Sequence, residues 1–352
     1  MTDNSVFLKA LRGEKTPYTP CWFMRQAGRF LPEYREIRKN YRSFFDFCRD
    51  VERSIEVTYL PIRELKVDAG ILFSDLLVPL IPFKKIKVEI VEEKGPVIEL
   101  DGDIGKLDTL LEPYDVRKEL SYVREIIKGF KERYKEVPLI GFCGAPFTVL
   151  SYIVEGGSTK NFHKTKEFMY NMEDVFRKVS ERLTSLLIEF GKFQLESGAD
   201  AFQIFDSWVG VLSPSDYSEF VFEENKRLID ELKKLGKPII YFSTGTSGML
   251  DTIGKLGADC VSVDWRISLD KAIEYIGKAT VIQGNLDPTA LFMDKEKLKR
   301  RVDEIILAGL KAKAHIFNLG HGILPKTDPN VVKWLVEYIH ETSEVLRSSQ
   351  KG

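Results

Sequence analysis

Only four cysteines and four histidines occur in the 352 residues. Cys21, Cys48, Cys143 and Cys260 lie far apart and form no CxxC pair, so their spacing writes neither a disulfide framework nor a cysteine-rich zinc site. His163, His315, His321 and His340 supply no HExxH pair, and none is close to a cysteine along the chain. An excess of one charge is also lacking. With 52 Lys+Arg against 53 Asp+Glu the formal net charge is -1, without the basic surplus that nucleic-acid binders usually carry. Long apolar runs are missing as well: the most apolar window, Gly70 to Phe83, is broken by Ser74, Asp75, Pro79 and Pro82 and is too short to cross a bilayer. The first twenty residues have no apolar core of the secretory kind. These absences predict a cytoplasmic protein with no nucleic-acid or membrane partner and no metal site.

What is present is a regular alternation. Eight short apolar runs, Cys21 to Met24, Ala69 to Phe73, Leu139 to Cys143, Ala201 to Phe205, Ile239 to Phe242, Cys260 to Asp264, Val281 to Gly284 and His315 to Leu319, are separated by stretches of helical periodicity. None alternates strictly, as expected for parallel strands buried on both faces. Three are entered by similar phrases, KVDAG, ESGAD and KLGAD, in which a helix ends, the chain turns and a strand begins. The pattern predicts an α/β fold, a single-domain TIM (β/α)8 barrel over residues 1–352; an open doubly wound sheet with an appended domain would give a similar string. The first three units are longer than an average barrel unit, so extended loops are expected after the first three strands. Lys84 to Leu100 alternates like an added β-hairpin, and Thr165 to Ser197 carries a helical apolar stripe that belongs to the core.

Catalytic residues of a barrel gather where the strands end. After the first run comes a loop with Arg25, Gln26, Ala27, Gly28 and Arg29, whose guanidinium forks suit carboxylate or phosphate. A plain surface loop with its arginines paired to Glu33 and Glu36 is the competing reading. After the second run Asp75 sits in apolar text, and Pro79 and Pro82 leave it no well-formed helix to cap. Tyr152 follows the third run, Ser207 the fourth and His321 the eighth; alone, each is more often structural. The segment YFSTGTSG lacks the lysine of a phosphate-binding loop and is expected to be a turn.

Taken in order, MRQAGR with LPEYR, FSD, GFCGAPFT, YIVEGG, FDSW and NLGHGI closely resemble the uroporphyrinogen decarboxylase family over essentially the whole chain. The resemblance implies a TIM barrel that acts as a homodimer with no metal or organic cofactor. It implies removal of CO2 from the four acetate side chains of uroporphyrinogen III, giving coproporphyrinogen III in porphyrin and heme biosynthesis. The family's substrate contacts fall on Arg25, Gln26, Ala27, Gly28, Arg29, Asp75, Tyr152, Ser207 and His321, with Asp75, Arg25 and Arg29 as the catalytic set and Phe205 packed against the macrocycle. Phe30 stands where the family usually has Tyr, which removes a hydroxyl expected at the loop edge. Two other readings remain: a non-catalytic tetrapyrrole carrier, and a related barrel methyltransferase, against which the missing H-x-C zinc-thiolate pattern counts.

Overall fold

The structure, a computed structural model, describes residues 2–91 and 94–349. Its centre is a seven-stranded parallel sheet: β1 (Gly70–Ile71), β4 (Leu139–Gly144), β5 (Ala201–Asp206), β6 (Ile239–Ser243), β7 (Cys260–Ser262), β8 (Val281–Gln283) and β9 (Ala314–Ile316), paired in that order. A separate antiparallel hairpin joins β2 (Ile86–Val91) to β3 (Gly95–Leu100). The expected hairpin is thus present, although part of its turn, residues 92–93, lies outside the described residues. So do both ends of the expected 1–352 domain.

Seven of the eight expected strands form, and the eighth position is filled in another way. Cys21 makes one parallel bridge to Phe317. On one side the Phe317 N–H donates to the Pro20 carbonyl at 2.8 Å, and on the other the Asp68 N–H donates to the Cys21 carbonyl at 2.9 Å. The segment therefore lies between β9 and β1 and closes the sheet into a barrel. It stops short of a ladder because side chains take its donors: the Asp68 carboxylate accepts from the Cys21 N–H, the Gln26 carbonyl from Phe23 and the Asn318 carbonyl from Met24.

Inside the barrel Ala69, Ile140, Ala201, Ile240, Cys260, Val281 and Ala314 share one apolar cluster with Phe7, Leu8 and Leu11 of the helix Val6–Leu11, which begins on a Ser5 cap. A polar layer crosses this core. Trp22 Nε1 donates to Gln283 Oε1, while Gln283 Nε2 donates to Gln203 Oε1 and Ser262 Oγ. These bonds repay part of the desolvation of the Gln283 amide and the Trp22 N–H, while Gln203 Nε2 has no partner among the described residues.

The apolar stripe from Thr165 to Ser197 divides into two helices, His163–Asn171 and Glu173–Ser197, because Met172 leaves helical geometry at φ -128° and ψ 46°. Phe168, Phe176, Val179, Leu183, Leu187 and Phe190 are buried, as a core stripe requires, and Met172 at the break is exposed. Of the three similar joints, two turn at Gly198 and Gly257 with positive φ, whereas in the first Lys66 itself takes the left-handed position at φ 62°. Among the described residues no helix is long and apolar enough to cross a membrane.

Candidate active site

The barrel strands end at a cleft of about 490 Å³ lined by Arg25, Ala27, Gly28, Arg29, Asp75, Tyr152, Ser207 and His321, all drawn from the expected set. They arrive from the segments after Cys21, after β1, after β5 and after β9, and from the helix Pro146–Glu155 that follows β4. Gln26 does not line the cleft. Its side chain is fully buried, accepting from the Phe23 N–H at 3.0 Å and donating to the Ala69 carbonyl at 2.9 Å, so its amide fixes the arginine loop to the approach of β1. Phe30 is likewise no loop-edge residue. It is 2% exposed within an apolar cluster that includes Tyr34 and Phe73, where the ring without a hydroxyl buries no orphan donor.

The glutamates near the arginine loop are engaged elsewhere: Glu33 with Arg63 and Glu36 with Lys39. Neither Arg25 nor Arg29 makes a side-chain hydrogen bond or an ion pair among the described residues, and both are exposed to the cleft. Arg25 adopts φ 60°, a left-handed conformation that costs a non-glycine residue on the order of 1 kcal/mol. Its stem lies across Gly322, where a Cβ would stand 2.5 Å from Arg25 Cδ. The bare Gly322 is what lets the guanidinium lie over the cleft. It belongs to the NLGHGI text, but its partner is distant in sequence, so the chain alone gave no sign of this contact.

Asp75 accepts the Leu77 N–H on Oδ1 at 2.9 Å, a short turn rather than the cap of a regular helix. That partner was not expected from sequence. The carboxylate lies among Leu72, Phe73, Leu76 and Leu77, and desolvation raises its pKa above the ordinary aspartate range while the Leu77 N–H and the Arg25 charge oppose the rise. Tyr152 is buried edge-on to Trp208, and burial with the nearby Asp75 charge pushes its hydroxyl pKa up, keeping it a protonated donor. His321 sits near Phe242 with its pKa lowered to about 4 by burial first and then by the Arg25 and Arg266 charges, so the ring is neutral at pH 7. Phe142, Phe205 and Phe242 present an apolar wall.

Two further cations face the cleft, Arg38 and Lys94. Arg38 shares a helix face with Tyr34 four residues earlier on the helix Pro32–Arg38, a spacing visible in LPEYREIR. Lys94 arrives with the hairpin, which places Ile90, Val91 and Pro96 at the rim. Among the described lining residues Asp75 is the only carboxylate, set against four cations. Such a field suits a polyanion with an apolar body and a cluster of N–H donors at its centre. Asp206, next to Ser207, is outside the cleft: Thr148, Asn225 and Tyr241 all donate to it, and it anchors the end of β5.

The chain resembles known proteins along nearly its whole length. The chain is 43% identical over 348 residues to a uroporphyrinogen decarboxylase of Carboxydothermus hydrogenoformans, covering 97% of each chain, and 41% identical to one of Bacillus subtilis, covering 99% and 98%. A methyltransferase from Methanosarcina mazei superimposes with a TM-score of 0.80 over 96% of this chain and 97% of its own, but at 20% identity it shares the fold alone. The family model described as uroporphyrinogen decarboxylase (URO-D) matches residues 2–342, and with relatives of this identity along nearly the whole length, the chain belongs to the uroporphyrinogen decarboxylase family.

Proposed function

We propose that the protein removes CO2 from the four acetate arms of uroporphyrinogen III to give coproporphyrinogen III in porphyrin biosynthesis, as one barrel domain whose catalytic set is Asp75, Arg25 and Arg29. The observation that carries the reading is Asp75, the only carboxylate among the described lining residues, in an apolar-walled cleft ringed by cations, of which Arg25 and Arg29 have no side-chain partner among the described residues. Loss of CO2 from an acetate arm would leave a carbanion unless the attached pyrrole is first protonated on carbon and takes up the electron pair. The substrate thus supplies its own electron sink. A porphyrinogen presents four pyrrole N–H donors on one side, and a carboxylate offers about four lone-pair sites to accept them. Asp75 holds the macrocycle by its centre, and those donors favour the ionised form that burial alone disfavours. At about 4 Å and an effective dielectric near 20, its charge stabilises the protonated pyrrole by about 4 kcal/mol before desolvation is subtracted.

The eight peripheral carboxylates meet Arg25 and Arg29, with Tyr152, Ser207 and His321 as hydrogen-bonding supports. Neutral His321 serves as donor or acceptor rather than as a cation. Gln26 serves through the loop it holds, and Ala27 and Gly28 through the close approach that a single methyl and a bare Cα allow. Arginine, with a pKa above about 12, binds carboxylates more readily than it gives up a proton. Four free, buried cysteines fit a cytoplasmic setting. The working form is proposed to be a homodimer, and sedimentation at several concentrations tests it, a monomer at micromolar protein counting against it.

The primary test is an anaerobic incubation with uroporphyrinogen III in the presence of EDTA, followed by oxidation and chromatography of the porphyrins by carboxylate number. Stepwise seven- to four-carboxylate products are expected. Unchanged eight-carboxylate material from folded, ligand-binding protein would instead support a carrier.

A further inference from the structure

At the end of the barrel opposite the cleft, three side chains from distant parts of the chain converge. Cys21 opens the closing segment, Asp68 precedes β1, and His340 lies on the final helix, Pro329–Ser349. Cys21 Sγ is 3.6 Å from His340 Nε2, and Asp68 Oδ2 is 2.8 Å from that same nitrogen. The convergence on one nitrogen matters. A nucleophilic relay would place the thiol and the carboxylate on opposite nitrogens of the imidazole, so that a proton could pass through the ring. Here both compete for one atom, and a single Nε2 proton can satisfy only one of them well. Three unlike donor atoms within 4.8 Å of one another, one each from sulfur, nitrogen and oxygen, form a chelating set.

We propose that Cys21, Asp68 and His340 bind one thiophilic divalent cation of the zinc type, with a solvent molecule in the fourth position. Bonds of about 2.3 Å to sulfur and about 2.0–2.2 Å to nitrogen and oxygen put tetrahedral donors roughly 3.3–3.6 Å apart. The Sγ to Nε2 separation already matches, and the Nε2 to Oδ2 separation opens by about half an ångström when the ion replaces the shared proton. On binding, the Cys21 thiol proton leaves to solvent and the imidazole proton moves to Nδ1. The supporting contacts are built: the Tyr18 hydroxyl donates to Asp68 Oδ1 at 3.0 Å, the Cys21 N–H to Asp68 Oδ2 at 2.7 Å, and the Tyr18 ring lies 4.4 Å from the His340 ring. Such outer contacts orient metal ligands. Cys21 is buried, whereas the Asp68 side chain is 10% and the His340 side chain 24% exposed, giving an ion and its water a path in. The bound ion would staple the last helix to the seam where the barrel closes.

The test titrates the full-length, metal-free protein with Co2+ alone under anaerobic conditions. One equivalent is expected to produce a thiolate-to-cobalt charge-transfer band and the visible bands of a tetrahedral site, and Zn2+ should displace it and raise the apparent Tm with concentration. Cys21→Ser and His340→Gln should each abolish the charge-transfer band or weaken cobalt binding at least tenfold, while Cys260→Ser, at a buried thiol outside the cluster, keeps it. No stoichiometric uptake by the wild-type chain, or bands that persist unchanged in folded C21S and H340Q, would overturn the proposal.

Discussion

Asp75 and Gly322 affect the same cleft in opposite ways. Asp75 supplies the one carboxylate among the described lining residues, so Asp75→Asn keeps the shape and removes that charge. Turnover is expected to fall by roughly 100-fold or more while binding of a porphyrin carboxylate product falls little, since the charge counts most when the pyrrole is protonated. Near wild-type turnover by that variant would remove Asp75 from the mechanism. Gly322 lines the same cleft without a side chain of its own, and an added methyl would meet the Arg25 stem at 2.5 Å and 2.7 Å and push its guanidinium aside. Gly322→Ala should lower kcat/KM roughly 10- to 100-fold with Tm nearly unchanged, and equal kinetics would mean that Arg25 is free to move. Asp75 and the arginines were legible because each breaks the apolar text where a strand ends. Gly322 was not, because its reason lies in a side chain nearly 300 positions away, and the Cys21–His340 contact escaped for the same cause.

The hairpin and the helix Pro146–Glu155 work as one element. Val97 pairs with Gly157, and the Ile98 N–H donates to the Gly156 carbonyl at 3.0 Å, so the hairpin that brings Lys94 to the rim is tied to the end of the helix that carries Tyr152. A Cβ on Gly157 would stand 2.5 Å from the Pro96 carbonyl oxygen, a backbone atom that cannot yield, and φ there is +147°. Gly157→Ala is therefore expected to loosen the hairpin, raising KM several-fold and speeding proteolysis between β2 and β3. Unchanged proteolysis would show the tie to be dispensable. Strand and hairpin texts were readable because period and flanking turns are local properties. The closing segment reads as a full strand in sequence but forms only a single bridge, because the side chains of Asp68, Gln26 and Asn318 intercept its N–H groups, a tertiary effect that no local pattern carries.

For the whole molecule, the alternation of runs and helices predicts parallel strands buried on both faces and suits a barrel or an open sheet; the Cys21 segment, bonded to Phe317 on one side and Asp68 on the other, decides for the barrel, which leaves no open edge. Its stability should also depend on acid through a residue with no part in the cleft. His315, on β9, is fully inside; its Nε2 pairs with the Gly284 carbonyl at 2.8 Å and its Nδ1 has no partner among the described residues. A Cβ on Gly309 would lie 2.2 Å from that nitrogen, so the helix backbone covers it and leaves no room for an acceptor. Burial lowers the pKa from 6.5 to about 4. Above pH 6.5 the ring is neutral in both folded and unfolded chains. Between 6.5 and about 4 the unfolded chain takes up a proton that the folded chain refuses, so stability falls as the pH falls. From pH 7 to 5 the loss from this one ring comes to about 2 kcal/mol. His321, lowered similarly, adds to it. Urea unfolding at the two pH values, compared with a His315→Gln variant, isolates the contribution. The variant should be less stable at pH 7 yet lose about 2 kcal/mol less on going to pH 5, and parallel losses in the two proteins would show that His315 does not refuse the proton.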